Sequence, residues 1–321
     1  PKFGIMYDKV KIWYDRPIAG AEFPAIVNHL ANVKVEADLH TGEERAFGYL
    51  EGLKVGIGSR GVWILGSLAK YLYGSNVLSL DRRATAEAME KLSDELDLPI
   101  NEARVLSMEF GTNFLMRHNV PDYLERLGSM PRMSRGTFDD GSLYYQGKGK
   151  AKKRPKVLTF YDKGAEAERD GAVYPEHLKG QNLLRYEMRL NERLPQRFNV
   201  PMVKASTLSE KAFYRGVMRM YQDNYFAIRK TPQIISNAMD EIKTVGDAFE
   251  LFVARLIIQT GEAQIGDYLK ELKEANVFPD RKNYSRVKKK IQEVATKGNI
   301  TISDELIKEL DDEVKNCGAY V

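Results

Sequence analysis

The sequence predicts an α+β fold in which strands dominate up to about residue 200 and helices make up the remainder. Alternating apolar and polar residues with glycine punctuation recur through the first part, whereas beyond Pro201 the apolar residues return at helical spacing. The chain has 321 residues, 43% of them hydrophobic, which suffices for one large or two ordinary domains. We expect two domains, at residues 1–203 and 204–321.

The N-terminal part begins with strands that are rich in aromatic and β-branched residues. Their alternation and the glycines between them predict a meander over 5–16, 47–57 and 61–66. Two helices follow. The first covers 67–73 and ends at Gly74, and the second covers 85–96, where apolar residues recur at helical spacing.

Three further strands carry the polar residues of greatest interest, at 105–114, 157–162 and 183–190. Each strand alternates, so that one face is apolar and the other polar. If the apolar faces share a core, the opposite face of the sheet collects Glu109, Tyr161, Arg185, Glu187 and Arg189.

The C-terminal part is predicted to be entirely helical. Thr207 and Glu210 have the spacing of a capping box. Segment 246–260 carries apolar residues at helical spacing, which predicts a buried stripe of Phe249, Phe252, Val253, Leu256 and Ile257. Two helices at about 264–275 and 281–296 then flank a short turn. This arrangement is compatible with a helix-turn-helix, and a solvated helix in an ordinary bundle fits it as well.

The formal net charge of +4 hides two basic segments and an acidic end. The first basic segment contains Lys148, Lys150, Lys152, Lys153, Arg154 and Lys156, followed by Lys163. The second spans 281–290 and contains Arg286, Lys288 and Lys289, whereas 304–313 is acidic. Basic residues neutralise phosphates, and the aromatic residues interleaved with them (Tyr144, Tyr145, Phe160, Tyr161 and later Tyr284) can stack on bases. A polyanionic partner and a solvated loop are equally good interpretations of such a stretch taken alone.

Several functional classes are excluded or disfavoured by composition. The single Cys317 rules out an internal disulfide and any cysteine-rich zinc site. Neither a phosphate-binding loop nor a dinucleotide fingerprint occurs, which argues against ATP or NAD as cofactor. No apolar run approaches the roughly 20 residues of a membrane span, so we expect no membrane partner.

The predicted polar face of the sheet can support phosphodiester chemistry. A tyrosine hydroxyl can attack phosphorus, and carboxylates on neighbouring strands can hold Mg²⁺ or Mn²⁺. The alternative is that Glu109 and Glu187 form cross-strand ion pairs with Arg185 and Arg189 on an ordinary surface. The spacing alone leaves both interpretations open.

Five segments together resemble the gene II/X family of filamentous-phage rolling-circle replication initiators. They occur in the family's order at 64–76, 107–114, 143–147, 158–164 and 182–190. The chain is more distantly similar to initiators of rolling-circle plasmids that also lack the His-hydrophobic-His pair. The resemblance covers roughly residues 5–200 and implies a ferredoxin-like antiparallel sheet flanked by helices.

By position, the resemblance implies that Tyr161 is the nicking nucleophile and that Glu109 and Glu187 are the metal-binding acids. One departure concerns the strand that leads into the Ser67 segment, where relatives tend to carry an acid and this chain has Trp63. The complete ligand set is therefore open.

The resulting hypothesis is a metal-dependent nickase and strand transferase that initiates rolling-circle replication through a 5′-phosphotyrosine intermediate in the cytoplasm of a bacterial host. Mg²⁺ or Mn²⁺ would be bound by Glu109 and Glu187, with Asn113 as a helper. Lys163, Arg185 and Arg189 would hold the phosphate of single-stranded or hairpin origin DNA, and 148–156 would follow the strand. The C-terminal helices would bind DNA, pair with a second copy or contact a host helicase or polymerase. The competing hypothesis is a non-catalytic origin-binding regulator.

Overall fold

The computed structural model describes most of the chain. The described residues are 6–18, 20–77, 80–147, 155–171, 175–230, 233–234, 242–295, 301–302 and 304–317.

Twelve strands are assigned in the described part of the chain. They are β1 Met6–Tyr14, β2 Ala31–Ala37, β3 Glu44–Leu50, β4 Leu53–Gly58, β5 Gly61–Ser67, β6 Arg104–Met116, β7 Met133–Thr137, β8 Leu143–Gly147, β9 Lys156–Asp162, β10 Asn182–Leu190, β11 Gln233–Ile234 and β12 Thr301–Ile302.

The described residues also form ten α-helices and three short 3₁₀ turns. The helices are α1 Glu22–Asn28, α2 Leu68–Tyr73, α3 Arg82–Leu96, α4 Val120–Glu125, α5 Lys163–Arg169, α6 Leu194–Phe198, α7 Lys211–Phe226, α8 Val245–Glu274, α9 Lys282–Ala295 and α10 Glu305–Asn316.

The first ten strands form one antiparallel sheet in the order β2-β3-β4-β5-β1-β6-β10-β9-β8-β7. The stretch 47–57 of the predicted meander is a hairpin, because Glu51 and Gly52 adopt positive φ angles between β3 and β4. The centre of the sheet is formed by β1, β6 and β10. An α+β fold with a large antiparallel sheet flanked by helices is thereby confirmed.

Local sequence signals explain both helices between β5 and β6. The Ser67 side chain caps α2 by accepting a hydrogen bond from the Lys70 backbone, and Gly74 ends the helix in the left-handed conformation at φ 71°. Asp81 caps α3 in the same way through the Ala84 backbone. The predicted helices at 67–73 and 85–96 are therefore confirmed, with α3 beginning one turn earlier.

The core lies on one face of the sheet and includes helices from the C-terminal part. Tyr186 of β10 stacks between Phe160 of β9 and Tyr221 of α7, with ring centroids at 4.3 and 4.1 Å. Apolar residues of α7 and α10 belong to the same buried cluster as the strands. The packing of these two helices therefore continues the core of the sheet across the predicted boundary between residues 203 and 204.

The helical prediction for the C-terminal part is confirmed in outline and corrected in detail. The segments predicted as separate helices at 246–260 and 264–275 form one helix, the 30-residue α8. The capping box predicted at Thr207 and Glu210 is wrong, because Thr207 belongs to a 3₁₀ turn and Glu210 only precedes α7. Thr244 and Asp247 form a capping box at the start of α8. The described residues also add the two-stranded pair β11–β12 to this part. No described helix is long and apolar enough to span a membrane.

The predicted buried stripe on α8 is wrong for its largest residues. Phe249 is 66% exposed and Phe252 57% exposed, and Leu256 is also exposed. The helical periodicity is real, but only Leu251 and Ala254 of this helix, neither of them in the predicted stripe, form its small buried cluster. A periodic pattern indicates that a helix is amphipathic and does not show which of its faces is covered.

Candidate metal centre and tyrosine site

Three carboxylates meet on the polar face of the sheet, one from each central strand. Asp8 lies on β1, Glu109 on β6 and Glu187 on β10, and one ligand atom of each lies within 4.8 Å of those of the others. The ladder explains this proximity, because Arg189, two residues beyond Glu187, pairs directly with Glu109. Asp8 reaches the same face through the irregular register between Tyr7 and Val10.

Each carboxylate is anchored through one oxygen. Asp8 Oδ2 accepts hydrogen bonds from Arg185 at 2.9 Å and Asn76 at 3.2 Å. Arg189 binds Oε2 of Glu109, and the hydrogen bonds that described residues donate to Glu187 go to its Oε1. Asp8 Oδ1 and Glu109 Oε1 are buried without a hydrogen-bond partner among the described residues. The exposed Lys9 forms a longer ion pair with Glu109 Oε1, at 3.9 Å.

These orphaned oxygens fit a bound divalent cation. A buried carboxylate oxygen without a partner carries a desolvation cost that a metal ion would remove. Mg²⁺ and Mn²⁺ prefer oxygen ligands and retain several waters, so three carboxylates form a suitable donor set. The residues present would therefore hold such an ion through Asp8, Glu109 and Glu187.

Burial and neighbouring charge act differently on two of the acids. Although burial opposes the ionisation of Asp8, the positive charge of Arg185 lowers the pKa of Asp8 below its usual value. Burial raises the pKa of Glu109, and the negative charge of Glu187 raises that pKa further. An added positive charge beside Glu109 would therefore favour its ionised form.

Arg185 is buried beneath the carboxylates and is not a DNA contact, contrary to the prediction. Its side chain is fully buried and forms ion pairs with Asp8 and Glu187. It also donates to the Asn76 carbonyl at 3.2 Å and to Asn113 Oδ1 at 3.1 Å. Arg185 thus orients two acids, whereas Arg189 binds Glu109 with 47% of its side chain exposed.

Asn113 supports Arg185, and its role as a metal helper stays a prediction. Its oxygen accepts from Arg185, and its Nδ2 donates to the Val77 carbonyl at 3.0 Å. Both ends of the amide are therefore engaged. The sequence placed Asn113 correctly on the polar face, but alternation cannot distinguish a ligand from the residue beside it.

Tyr161 lies next to the acidic cluster. It is the register partner of Arg185, and its hydroxyl donates a hydrogen bond to Glu187 Oε1 at 2.9 Å. Burial raises the pKa of Tyr161 far above its usual value; Arg185 opposes this effect, while Glu187 adds to it. The phenol is thus held as a neutral donor that points at a carboxylate.

Lys163 begins α5 directly after β9, and its side chain is buried. Its Nζ pairs with Glu166 and donates to Asn76 Oδ1 at 3.2 Å. It also lies 5.9 Å from the centroid of the Tyr161 ring. Burial lowers the pKa of Lys163, and the charge of Arg185 adds to that effect.

Sequence reasoning missed Asp8, which lies beside Glu109 and Glu187 in a chain that has Trp63 where relatives tend to carry an acid. Trp63 lies over Gly56, where an added Cβ would come within 2.2 Å of the indole. The third carboxylate is supplied by β1 instead. Asp8 in an alternating Tyr-Asp-Lys run was the available signal, but the register irregularity that turns it to this face is not visible in the sequence.

Gly111 leaves room for the acidic cluster on β6. It pairs directly with Glu187, and an added Cβ would lie 2.5 Å from the Tyr186 carbonyl and 3.1 Å from Glu187 Cγ. Glycine at this position therefore permits the close approach of β10 that brings Glu187 beside Glu109.

The predicted DNA-binding residues of the two basic segments divide into three groups. Lys148, Lys150, Lys152, Lys153 and Arg154 lie outside the described residues. Lys156 binds Asn224 of α7, on the face of Leu158 and Phe160, and so lies away from Tyr161. Arg286, Lys288 and Lys289 are exposed on α9.

For three of the aromatic residues interleaved with these basic residues, the predicted stacking on bases is wrong. Tyr145 and Phe160 are fully buried in the core and Tyr284 is buried beneath Phe278, so none of them is available to stack on bases.

Residues 54–209 match the model of a phage family that is described as the N-terminal part of a replication-associated protein. The match spans Glu109, Tyr161 and Glu187, whereas Asp8 lies before it. The resemblance to phage replication initiators is thereby confirmed, and the replication-associated segment contains most of the site.

A solved structure of a rolling circle replication initiator protein from Geobacillus stearothermophilus is similar at 10% identity and a TM-score of 0.36. The similarity covers 70% of this chain and 85% of that one. No curated protein matches the chain.

Proposed function

We propose that this chain initiates rolling-circle replication by nicking single-stranded origin DNA with Tyr161 and later rejoining it. The observation that carries the proposal is the hydrogen bond from the Tyr161 hydroxyl to Glu187, inside a cluster of three carboxylates. Two of these, Asp8 and Glu109, each have a buried oxygen without a hydrogen-bond partner among the described residues. The family match supports a role in replication.

In the proposed nicking step, the Tyr161 oxygen attacks the scissile phosphorus. A bond forms between that oxygen and phosphorus while the bond from phosphorus to the 3′ oxygen breaks. The phenolic proton passes to the Glu187 carboxylate, which already accepts it in a hydrogen bond, and the departing 3′ oxygen takes a proton from solvent. The products are a 5′-phosphotyrosine and a free 3′-hydroxyl, and reversal of these steps would rejoin a strand.

The other residues position or neutralise groups around this reaction. Mg²⁺ or Mn²⁺ held by Asp8, Glu109 and Glu187 would stabilise negative charge on the phosphate. Arg185 keeps Asp8 and Glu187 oriented, and Lys163 with Asn76 packs beside the nucleophile. Arg189 and Lys9 are the exposed cations nearest to the acids and are the candidates for phosphate contact.

The basic residues at 148–154 and on α9 would bind the remainder of the origin. Arg286, Lys288 and Lys289 are exposed on a helix that follows a short turn, which suits phosphate contacts. A second copy of the chain and a host helicase or polymerase are proposed partners of the C-terminal helices.

The test is covalent adduct formation. Single-stranded DNA that carries the origin, labelled on the 3′ side of the nick, is incubated with the protein and Mn²⁺ and resolved under denaturing conditions. Wild type should retain label on the protein, Tyr161→Phe should not, and Tyr144→Phe, on the adjacent strand β8, should behave like wild type. An adduct formed by Tyr161→Phe would overturn the assignment. Metal-independent origin binding without an adduct from any variant would favour the non-catalytic regulator.

A further inference from the structure

The open face of the sheet beyond the acidic cluster carries an unusual combination of aromatic and basic side chains. Direct register pairs place Trp13 of β1 beside Trp63 of β5, and Gly56 of β4 between Trp63 and Phe47 of β3. Phe47 and Trp63 are in ring contact, with centroids at 6.2 Å. Since the core lies on the opposite face, this row of rings faces away from it.

Lysines form the adjacent row of the same face. Lys11 of β1 and Lys54 of β4 both pair with Leu65 of β5, and Lys54 lies 5.9 Å from the ring of Tyr49. Both lysines are exposed, and neither has an ion pair among the described residues. We call Trp13, Trp63, Phe47, Lys11 and Lys54 the lysine–aromatic face.

The register partners within these two rows include no acid. The aromatic row ends at Lys34 and Arg104, and the lysine row ends at Ala31 and Ser107. Arg104 pairs with Asp15 at 3.2 Å, whereas Lys11 and Lys54 have no ion pair among the described residues. Free lysines beside half-buried rings suit a single-stranded nucleic acid, because cations follow the phosphates and rings stack on bases.

The lysine–aromatic face continues along β1 to the acidic cluster. Lys9 lies two residues before Lys11 on the same side of β1, and its Nζ lies 3.9 Å from Glu109 Oε1. Trp13 and Phe47 are three strands apart, about 14 Å at the usual strand spacing. At a rise of about 3.4 Å per nucleotide, that distance accommodates about four nucleotides.

We propose that the lysine–aromatic face binds the single strand adjacent to the nicking site, about four nucleotides long, by stacking and phosphate contacts without base-specific readout. The inference rests on the proposed function for the identity of the strand as DNA. It adds a binding surface outside the basic loop and α9, and most of that surface lies at the start of the chain and on β3 to β5.

Intrinsic fluorescence tests this proposal directly, because Trp13 and Trp63 are the two tryptophans of the chain. The full chain is titrated in chelator with an end-labelled oligothymidylate of about 12 nucleotides, and tryptophan emission and oligonucleotide anisotropy are recorded together. Emission should fall with the same midpoint at which anisotropy rises. Binding with unchanged emission, or no binding, would overturn the proposal.

A charge variant avoids disturbing the rings. Lys11→Ala/Lys54→Ala alters only exposed positions and should weaken binding about tenfold at low salt. It should also reduce the slope of log affinity against log salt by about 1.4, from two lost phosphate contacts on a single strand. Lys308→Ala, an exposed lysine on α10, should leave both quantities unchanged. A double variant that binds like wild type would refute the assignment.

The same titration separates this proposal from the proposed chemistry. Tyr161→Phe should quench like wild type, since the face does not include the nucleophile. Failure of wild type to form an adduct, with quenching intact, would overturn the nicking function and leave the face supported as a single-strand site. An adduct without quenching would overturn the single-strand site on this face and leave the nicking function supported.

Discussion

Replacement of Arg185 by Met should be the most destabilising single change on the polar face. Arg185 is fully buried and binds two carboxylates as well as two further oxygens, so its removal leaves Asp8 and Glu187 charged and unpaired inside the protein. Breaking a buried ion pair in this way costs about 3–5 kcal/mol. Total stabilities of about 5–15 kcal/mol mean that the variant should still fold.

Arg189→Met provides the matched control, four residues along the same strand and on the same face. Arg189 keeps 47% of its side chain exposed. Its partner Glu109 keeps a second cation nearby, because Lys9 Nζ lies 3.9 Å from Glu109 Oε1. The loss should therefore be about 1 kcal/mol or less.

Urea unfolding of the full chains, followed by far-UV circular dichroism at pH 7 in chelator, measures both losses. Mn²⁺ should then stabilise Arg185→Met more than wild type, because the cation replaces the missing positive charge; saturation at about 100 times Kd contributes about 2.7 kcal/mol. Equal losses for the two arginine variants, or a loss below about 1 kcal/mol for Arg185→Met, would refute the buried-network interpretation.

Two further predictions address the titration of the site and the extent of the core. The raised pKa of Glu109 means that the folded protein binds the proton of this side chain more tightly than the unfolded chain does. The protonated Glu109 therefore contributes its full stabilisation below the unfolded pKa of about 4.3. That stabilisation is lost as pH rises through the folded pKa. Without metal, Glu109→Gln should gain stability relative to wild type as pH rises above the unfolded pKa of about 4.3, and parallel stability curves would contradict this. Truncation after residue 203 removes α7 and α10 and uncovers the Tyr186 stack, so the fragment should aggregate or lose its near-ultraviolet circular dichroism; a monomeric fragment with native dichroism would show that the sheet needs neither helix.

Much of the fold was accessible from the sequence because alternation and capping are local. The strands β6, β9 and β10 follow from period-two patterns, and α2 follows from Ser67 and Gly74 at its ends. The single helix α8 and its exposed Phe249 were not accessible, because Gly261 and neighbouring residues permit an interruption that the tertiary structure does not use. Helical periodicity identified an apolar face without indicating what covers it.

On the polar face, too, the sequence determined some features of single residues and the tertiary structure determined others. The sequence by itself determined that Glu109, Tyr161 and Glu187 share one side of neighbouring strands, since side chains alternate strictly along a strand. Only the tertiary structure decided that Asp8 completes the carboxylates, that Arg185 lies beneath them and that Asn113 supports Arg185. These roles depend on a register irregularity in β1 and on the loop at Asn76 that closes over the face. Long-range pairing and burial decide the role of each polar group, and the local spacing of residues reveals neither.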